Sequence, residues 1–212
     1  MPKILIARST ASLGDRYLYA YSDELVSEAK SRGWTVFLCE EKNCNRIELL
    51  SRLDKTSPEL VIFNGHGDDD ALYGYDGSKA IDTGSSGVLR GKIFFARACG
   101  AVKGLGKAAV GKGCKAFIGY SDYFMIPYVY GYEATPLRDP AAKPVLEISN
   151  LVAKRLLKHL TVSESIGAAK KKASELMFEM LTSGEPYDSP AFKAAYQNHF
   201  NLEFAGDPQA KA

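Results

Sequence analysis

The chain is 212 residues long, 46% hydrophobic and 25% charged, with 19 Gly, 9 Pro and 4 Cys. This usage excludes a disordered, collagen-like or disulfide-scaffold protein, and a chain of this length removes about 70% of its unfolded surface from water, enough for one well-formed core. The balance of 27 Lys+Arg against 25 Asp+Glu leaves too weak a field to make nucleic acid or an acidic membrane the expected partner.

Met1-Pro2-Lys3 leads into only four apolar residues, Ile4 to Ala7, before Arg8. That is neither a signal h-region nor a membrane span, so the expected location is the cytoplasm, where Cys39, Cys44, Cys99 and Cys114 stay as thiols. Short β-branched or aromatic runs at Lys3 to Ala7, Thr35 to Glu40, Leu60 to Asn64, Ile93 to Ala98 and Lys115 to Tyr120 read as buried strands. Amphipathic stretches fall between them. Leu18, Tyr21, Leu25 and Ala29 recur at helical spacing within Asp15 to Arg32, and Gly33 stops that helix. Asn45 caps a second helix through Leu53, and Ser57-Pro58 ends it. Residues 68 to 91 are too glycine-rich for a long helix and read as a hairpin or loop excursion. A short helix is expected near Val102 to Leu105.

Tyr123 to Pro144 has no clear period and reads as a long ordered loop. Helical periodicity returns from Val145 to Leu160, from Ser163 to Leu181 with Ser163 as its cap, and from Pro190 to His199. Alternation of strand and helix predicts an α/β fold, a three-layer α/β/α sandwich with a mostly parallel central sheet. No internal repeat appears, so residues 1–212 are read as one domain, with the sheet core over about 3–122 and a C-terminal helical part over about 145–200.

Two of the strands end in reactive residues, Asn64-Gly65-His66-Gly67 and Arg97-Ala98-Cys99-Gly100. Ligands of an open parallel sheet bind outside the carboxyl ends of its strands. If the third and fourth major strands are neighbours, the connection between residues 66 and 99 suits a right-handed crossover and brings an imidazole and a thiol to one cleft. Such a pair performs acyl transfer: the imidazole takes the thiol proton and later protonates the leaving amine. Gly67 leaves its N–H open, so with the Cys99 N–H it is the expected donor to a tetrahedral oxyanion.

The two blocks resemble the catalytic blocks of the caspase-like cysteine peptidases, the clan CD group of caspases, metacaspases, legumain, separase, gingipains and CHAT domains, and they occur in that group's order. The resemblance covers roughly residues 3 to 122, and Phe204-Ala205-Gly206-Asp207-Pro208 is similar to the end of gingipain-like and CHAT-like domains. It implies a caspase-like fold, a peptide or protein substrate and no obligatory cofactor, with His66 as base, Cys99 as nucleophile and Gly67 as oxyanion donor. Arg97 stands where the caspase signature has Gln, so an Asp-specific pocket does not carry over. Asp122, just past the fifth strand, would select a basic residue before the cut, whereas Arg97, with Arg8, would attract an acidic one; a basic preference accords with gingipain-like and metacaspase-like relatives.

Three other readings stay beside this one. A caspase-like adaptor would keep the fold and bind partners without catalysis. Gly106 to Gly113 nearly spells a phosphate-binding loop, but Gly113 replaces the Ser or Thr that binds magnesium and a strand follows where a helix should. Asp68-Asp69-Asp70 with Asp76 lacks EF-hand spacing and reads first as a solvated turn. No metal ligands are assigned, since Cys39 and Cys44 are not a Cys-x-x-Cys pair. His159 and His199 receive no role.

Overall fold

The computed structural model describes residues 1–212. In chain order its elements are β1 (Lys3–Arg8), α1 (Leu13–Ser31), β2 (Thr35–Glu40), α2 (Arg46–Thr56), β3 (Leu60–Asn64), β4 (His66–Gly67), β5 (Ala71–Tyr73), β6 (Lys79–Asp82), β7 (Ile93–Arg97), α3 (Lys107–Gly111), β8 (Ala116–Tyr120), α4 (Ala142–Leu156), α5 (Val162–Thr182), α6 (Pro190–Asn201) and β9 (Leu202–Gly206). The main sheet has the order β2-β1-β3-β7-β8-β9, parallel except for β9. β4, β5 and β6 form a small antiparallel sheet; β5 and β6 lie within the expected excursion, and β4 precedes it. The α/β/α expectation holds, and β3 and β7 are neighbours.

Side chains alternate across the sheet. Ile4, Ile6, Leu60, Ile62, Ile93 and Phe95 pack with residues of α1 and α4, while Leu5, Val61, Phe63, Phe94 and Ala96 pack with α2 and the small sheet. Such a ring is costly to delete: Phe94, fully buried and stacked on Phe117 at 4.9 Å, is worth about 3–5 kcal/mol against Ala.

The differences from expectation lie at element ends. α1 begins at Leu13 because Ser12 and Asp15 form a reciprocal capping box, so Asp15 sits in the first turn rather than starting it. α5 starts after Thr161, not Ser163, because Thr161 and Glu164 make a second box. α4 starts ahead of Val145: Pro144 falls in its first turn, where proline is tolerated, and Asp139 Oδ1 accepts from the N–H groups of Ala141 and Ala142 at 2.9 and 3.2 Å. Val102–Gly106 is a π-helical turn rather than an α-helix. β9 pairs antiparallel with β8; most of its side chains are exposed, so no apolar run marks it. No helix is long and apolar enough to cross a membrane.

Candidate active site

β3 and β7 are in parallel register with Asn64 opposite Arg97. The ladder runs one step further, where the Gly65 N–H donates to the Arg97 carbonyl at 3.3 Å. Ile62 and Asn64 precede His66 at the two-residue period, as Phe95 and Arg97 precede Cys99, which sends both reactive side chains to the α1 side of the sheet. Contacts agree. Cys99 packs against the core on that face, and His66 meets the N-terminus of α1.

His66 is held by the capping box. Its Nε2 lies 3.0 Å from Ser12 Oγ and 3.7 Å from Asp15 Oδ1, with the imidazole side chain 63% exposed and the carboxylate 3% exposed. Ser12 Oγ accepts from the Asp15 N–H at 3.1 Å, and Asp15 Oδ2 accepts from the Ser12 N–H at 3.3 Å. One Asp15 oxygen thus closes the box and the other faces the imidazole. Sequence reasoning missed both residues, although Ser-x-x-Asp ahead of an apolar period is a capping signal.

Cys99 is half-buried just past the end of β7. Its Sγ accepts from the Phe124 N–H at 3.4 Å, and its own N–H has no acceptor within the protein. No hydrogen bond joins His66 to Cys99; each is held by a different partner. Gly67 stands against the Ala98–Cys99 backbone. A Cβ there would lie 2.9 Å from the Cys99 carbonyl oxygen and 3.0 Å from Ala98 Cβ, so a side chain would force β4 away from the end of β7. Gly100 is required twice over. Its φ is +69°, and a Cβ would meet Asp69 Oδ1 at 2.8 Å.

A cleft of about 430 Å³ opens over Cys99 and Gly67, walled by Asp68, Asp69, Asp70 and Asp122, with Lys103 as its one cation. The carboxylates are not equivalent. Asp68 is committed to its own turn: it accepts from the Tyr73 hydroxyl at 2.5 Å and from the N–H groups of Asp70 and Ala71, and the Tyr73 bond, ahead of the backbone donors, holds it below the usual carboxylate range. Asp122 takes one bond, from the Tyr123 N–H at 2.8 Å. Asp69 takes none from the protein on its side chain; its carbonyl anchors the Leu105 N–H at 2.6 Å. Asp122 therefore lies where sequence reasoning put it, and Asp69 joins it.

Arg97 does not line this cleft, and its expected role in substrate binding is corrected. It is fully buried, donating from Nε to Asn64 Oδ1 at 2.5 Å, from Nη1 to Asn150 Oδ1 at 2.7 Å and from Nη2 to Ser22 Oγ at 2.9 Å. It points to the same side as Cys99, but α1 and α4 roof it over while Cys99 stands beyond the strand end. Burial pushes its pKa down to about 10, which leaves it cationic at neutral pH. Arg8 is likewise engaged, by Asp23 at 2.6 Å and Glu40 at 2.5 Å. Gly106 to Gly113 forms the end of the π-helical turn, α3 and its cap, running into a strand, which is not the geometry of a phosphate-binding loop.

No protein-family model matches the chain, and no curated protein matches it. Its fold is caspase-like. It is similar to the crystal structure of gingipain R, an Arg-specific cysteine proteinase, with a TM-score of 0.55 at 15% identity over 98% of this chain and 46% of that one. It is similar also to the complex of Porphyromonas gingivalis RgpB pro- and mature domains, with a TM-score of 0.54 at 16% identity over 98% of this chain and 47% of that one. The chain thus spans about half the length of these structures.

Proposed function

We propose that the protein is a cysteine endopeptidase that cleaves peptide bonds with Cys99 and His66 and prefers a basic residue before the cut. The observation that carries this reading is the emergence of His66 and Cys99 just past the ends of neighbouring parallel strands, on one face, with Cys99 and Gly67 lining an acidic cleft.

The contacts at His66 support one placement of its proton. Asp15 and Ser12 both sit at Nε2, which favours the tautomer carrying hydrogen there and leaves the Nδ1 lone pair for the sulfur. Nδ1 takes the Cys99 proton as Sγ attacks the scissile carbonyl carbon. The Cys99 N–H, with Gly67 beside it, stabilises the oxyanion. The C–N bond then breaks, His66 gives its proton to the leaving amine, and a thioester remains on Cys99. Water adds to the thioester with its proton passing to His66, and release of the acid returns the proton to the sulfur. Asp15 stabilises the imidazolium formed in both halves. A Lys or Arg side chain in the cleft would meet Asp122 and Asp69, which have acceptor capacity free, and an acidic side chain would be repelled.

Fluorogenic peptides with the residue before the cut varied test the proposal. Turnover of Lys or Arg peptides that vanishes in Cys99→Ala and in His66→Ala is expected; turnover kept in either variant sinks it. One observation favours the second reading, a binding protein without catalysis: the imidazole and the sulfur are not hydrogen-bonded to each other. In that case no peptide of the set is cut. The substrate partners, and a reducing compartment for the four free cysteines, belong to the same proposal.

A further inference from the structure

We infer that Arg97 is a positioning residue that sets the spacing between the strand ends bearing His66 and Cys99, an inference that rests on the peptidase reading. Three observations carry it. First, Arg97 and Asn64 are register partners in β7 and β3, each two residues before one member of the pair, and the Arg97 Nε–H donates to Asn64 Oδ1. Their side chains therefore bridge the two strands at the last register pair of the β3–β7 ladder. Second, the bridge is anchored on every side. Asn64 Nδ2 donates to the Ala7 carbonyl of β1 at 3.0 Å; the other guanidinium nitrogens reach Ser22 of α1 and Asn150 of α4; and Asn150 Nδ2 donates to the Tyr21 carbonyl at 2.9 Å. From its place in β7, Arg97 thus bonds β3, α1 and α4 directly, and Asn64 carries the connection on to β1.

Third, no carboxylate contacts this charge. All three direct acceptors are neutral, and the network meets a carboxylate, Glu24 Oε2, only through Asn150 Nδ2 at 3.1 Å, whereas Arg8, two strands away in the same row, has two carboxylates in direct contact. A buried guanidinium without a counter-ion is an expensive way to fill a core, and apolar replacements of buried ionic groups are often neutral or stabilising. What an apolar side chain lacks is a rigid planar fork with fixed bond directions. Geometry of that kind matters at this place, because a displacement of about 1 Å between reacting groups can cost about 100-fold in rate.

The test uses the full chain and two readouts. The first is the rate of Cys99 alkylation by iodoacetamide at about pH 6.5 in wild type, His66→Ala and Arg97→Lys. The second is kcat and KM on the preferred peptide. Arg97→Lys keeps the cation but loses the fork; it should alkylate about 10-fold more slowly and lower kcat by about 10- to 100-fold with KM changed by less than about 3-fold. Leu53→Ala, which removes packing on the opposite face of the sheet, serves as the stability control and should leave kcat per folded molecule unchanged even at equal loss of Tm. Arg97→Lys at wild-type rates in both readouts overturns the inference while the peptidase reading stands. His66→Ala alkylating at the wild-type rate, with no peptide cut by wild type, overturns that reading and the inference with it.

Discussion

Asp139 and Asp69 are two carboxylates with opposite surroundings, and the contrast separates what holds the molecule together from what is left open. Asp139, between the 121–135 segment and α4, is fully buried. Its Oδ2 accepts from the Tyr17 hydroxyl at 2.7 Å and the Val129 N–H at 2.9 Å, and its Oδ1 from Ala141 and Ala142. Asp69 accepts nothing on its side chain and lines the cleft beside Cys99. A buried polar group must be saturated to be tolerated, so Asp139 is structural. In the cleft, the Cys99 N–H and the carboxylates of Asp69 and Asp122 keep capacity to spare, which is what binding and catalysis draw on.

Substitutions sharpen that contrast, beginning with the largest effect. Cys99→Ala should remove at least about 1,000-fold of peptide turnover and leave Tm within experimental scatter, as expected for a half-buried residue outside the core. Asp15→Asn keeps an acceptor for the capping box but loses the charge facing His66; kcat should fall by about 100-fold with little change in KM. A fall confined to Tm would make Asp15 a cap and nothing more. Asp69→Asn and Asp122→Asn should each lower kcat/KM for Lys or Arg peptides by about 10-fold and leave neutral peptides and Tm unaffected. Equal losses on all peptides would move these residues out of the specificity role.

Asp139→Asn should do the reverse. It should cost about 1–3 kcal/mol of stability, read by denaturant titration, without changing which peptide is preferred. The pH dependence follows. Burial pushes the Asp139 carboxyl up, but the Tyr17 hydroxyl and the backbone donors outweigh it and hold its pKa below the ordinary value of 3.8. Its contribution to stability is therefore complete above the unfolded carboxylate's range and disappears as pH falls through the folded value. Melting curves from about pH 6 to about pH 3 should show the gap between wild type and Asp139→Asn closing on the acid side. A gap that widens there contradicts the assignment.

What the sequence revealed and what it hid follow the same line. The runs at Leu60 to Asn64 and Ile93 to Ala98 announced buried strands because both sheet faces are covered, while their adjacency was only a condition of the reading; strand ends are where an α/β sheet leaves side chains free, and the places of His66 and Cys99 were legible for that reason. Arg97 was not. Its position two residues before Cys99 says which side it takes, but whether that side is cleft or core depends on α1 and α4 arriving from residues 13–31 and 142–156. Ser12 and Asp15 carried a readable capping box, yet their second task needs the tertiary fact that the N-terminus of α1 abuts the end of β3. Among the acidic residues at 68–70, only the hydrogen bonds distinguish Asp68, consumed by its turn, from Asp69.

Intact-mass and peptide-mapping measurement of covalent labelling by a Lys-containing peptidyl electrophile, in wild type and in His66→Ala, tests most directly whether residues 66 and 99 act together. Cys39, Cys44 and Cys114 are all buried, so exposure alone would also direct label to Cys99; the effect of the imidazole is what discriminates. A single adduct on Cys99 that forms at least about 10-fold more slowly in His66→Ala is predicted. Labelling of Cys99 at the same rate with and without the imidazole would contradict a working pair.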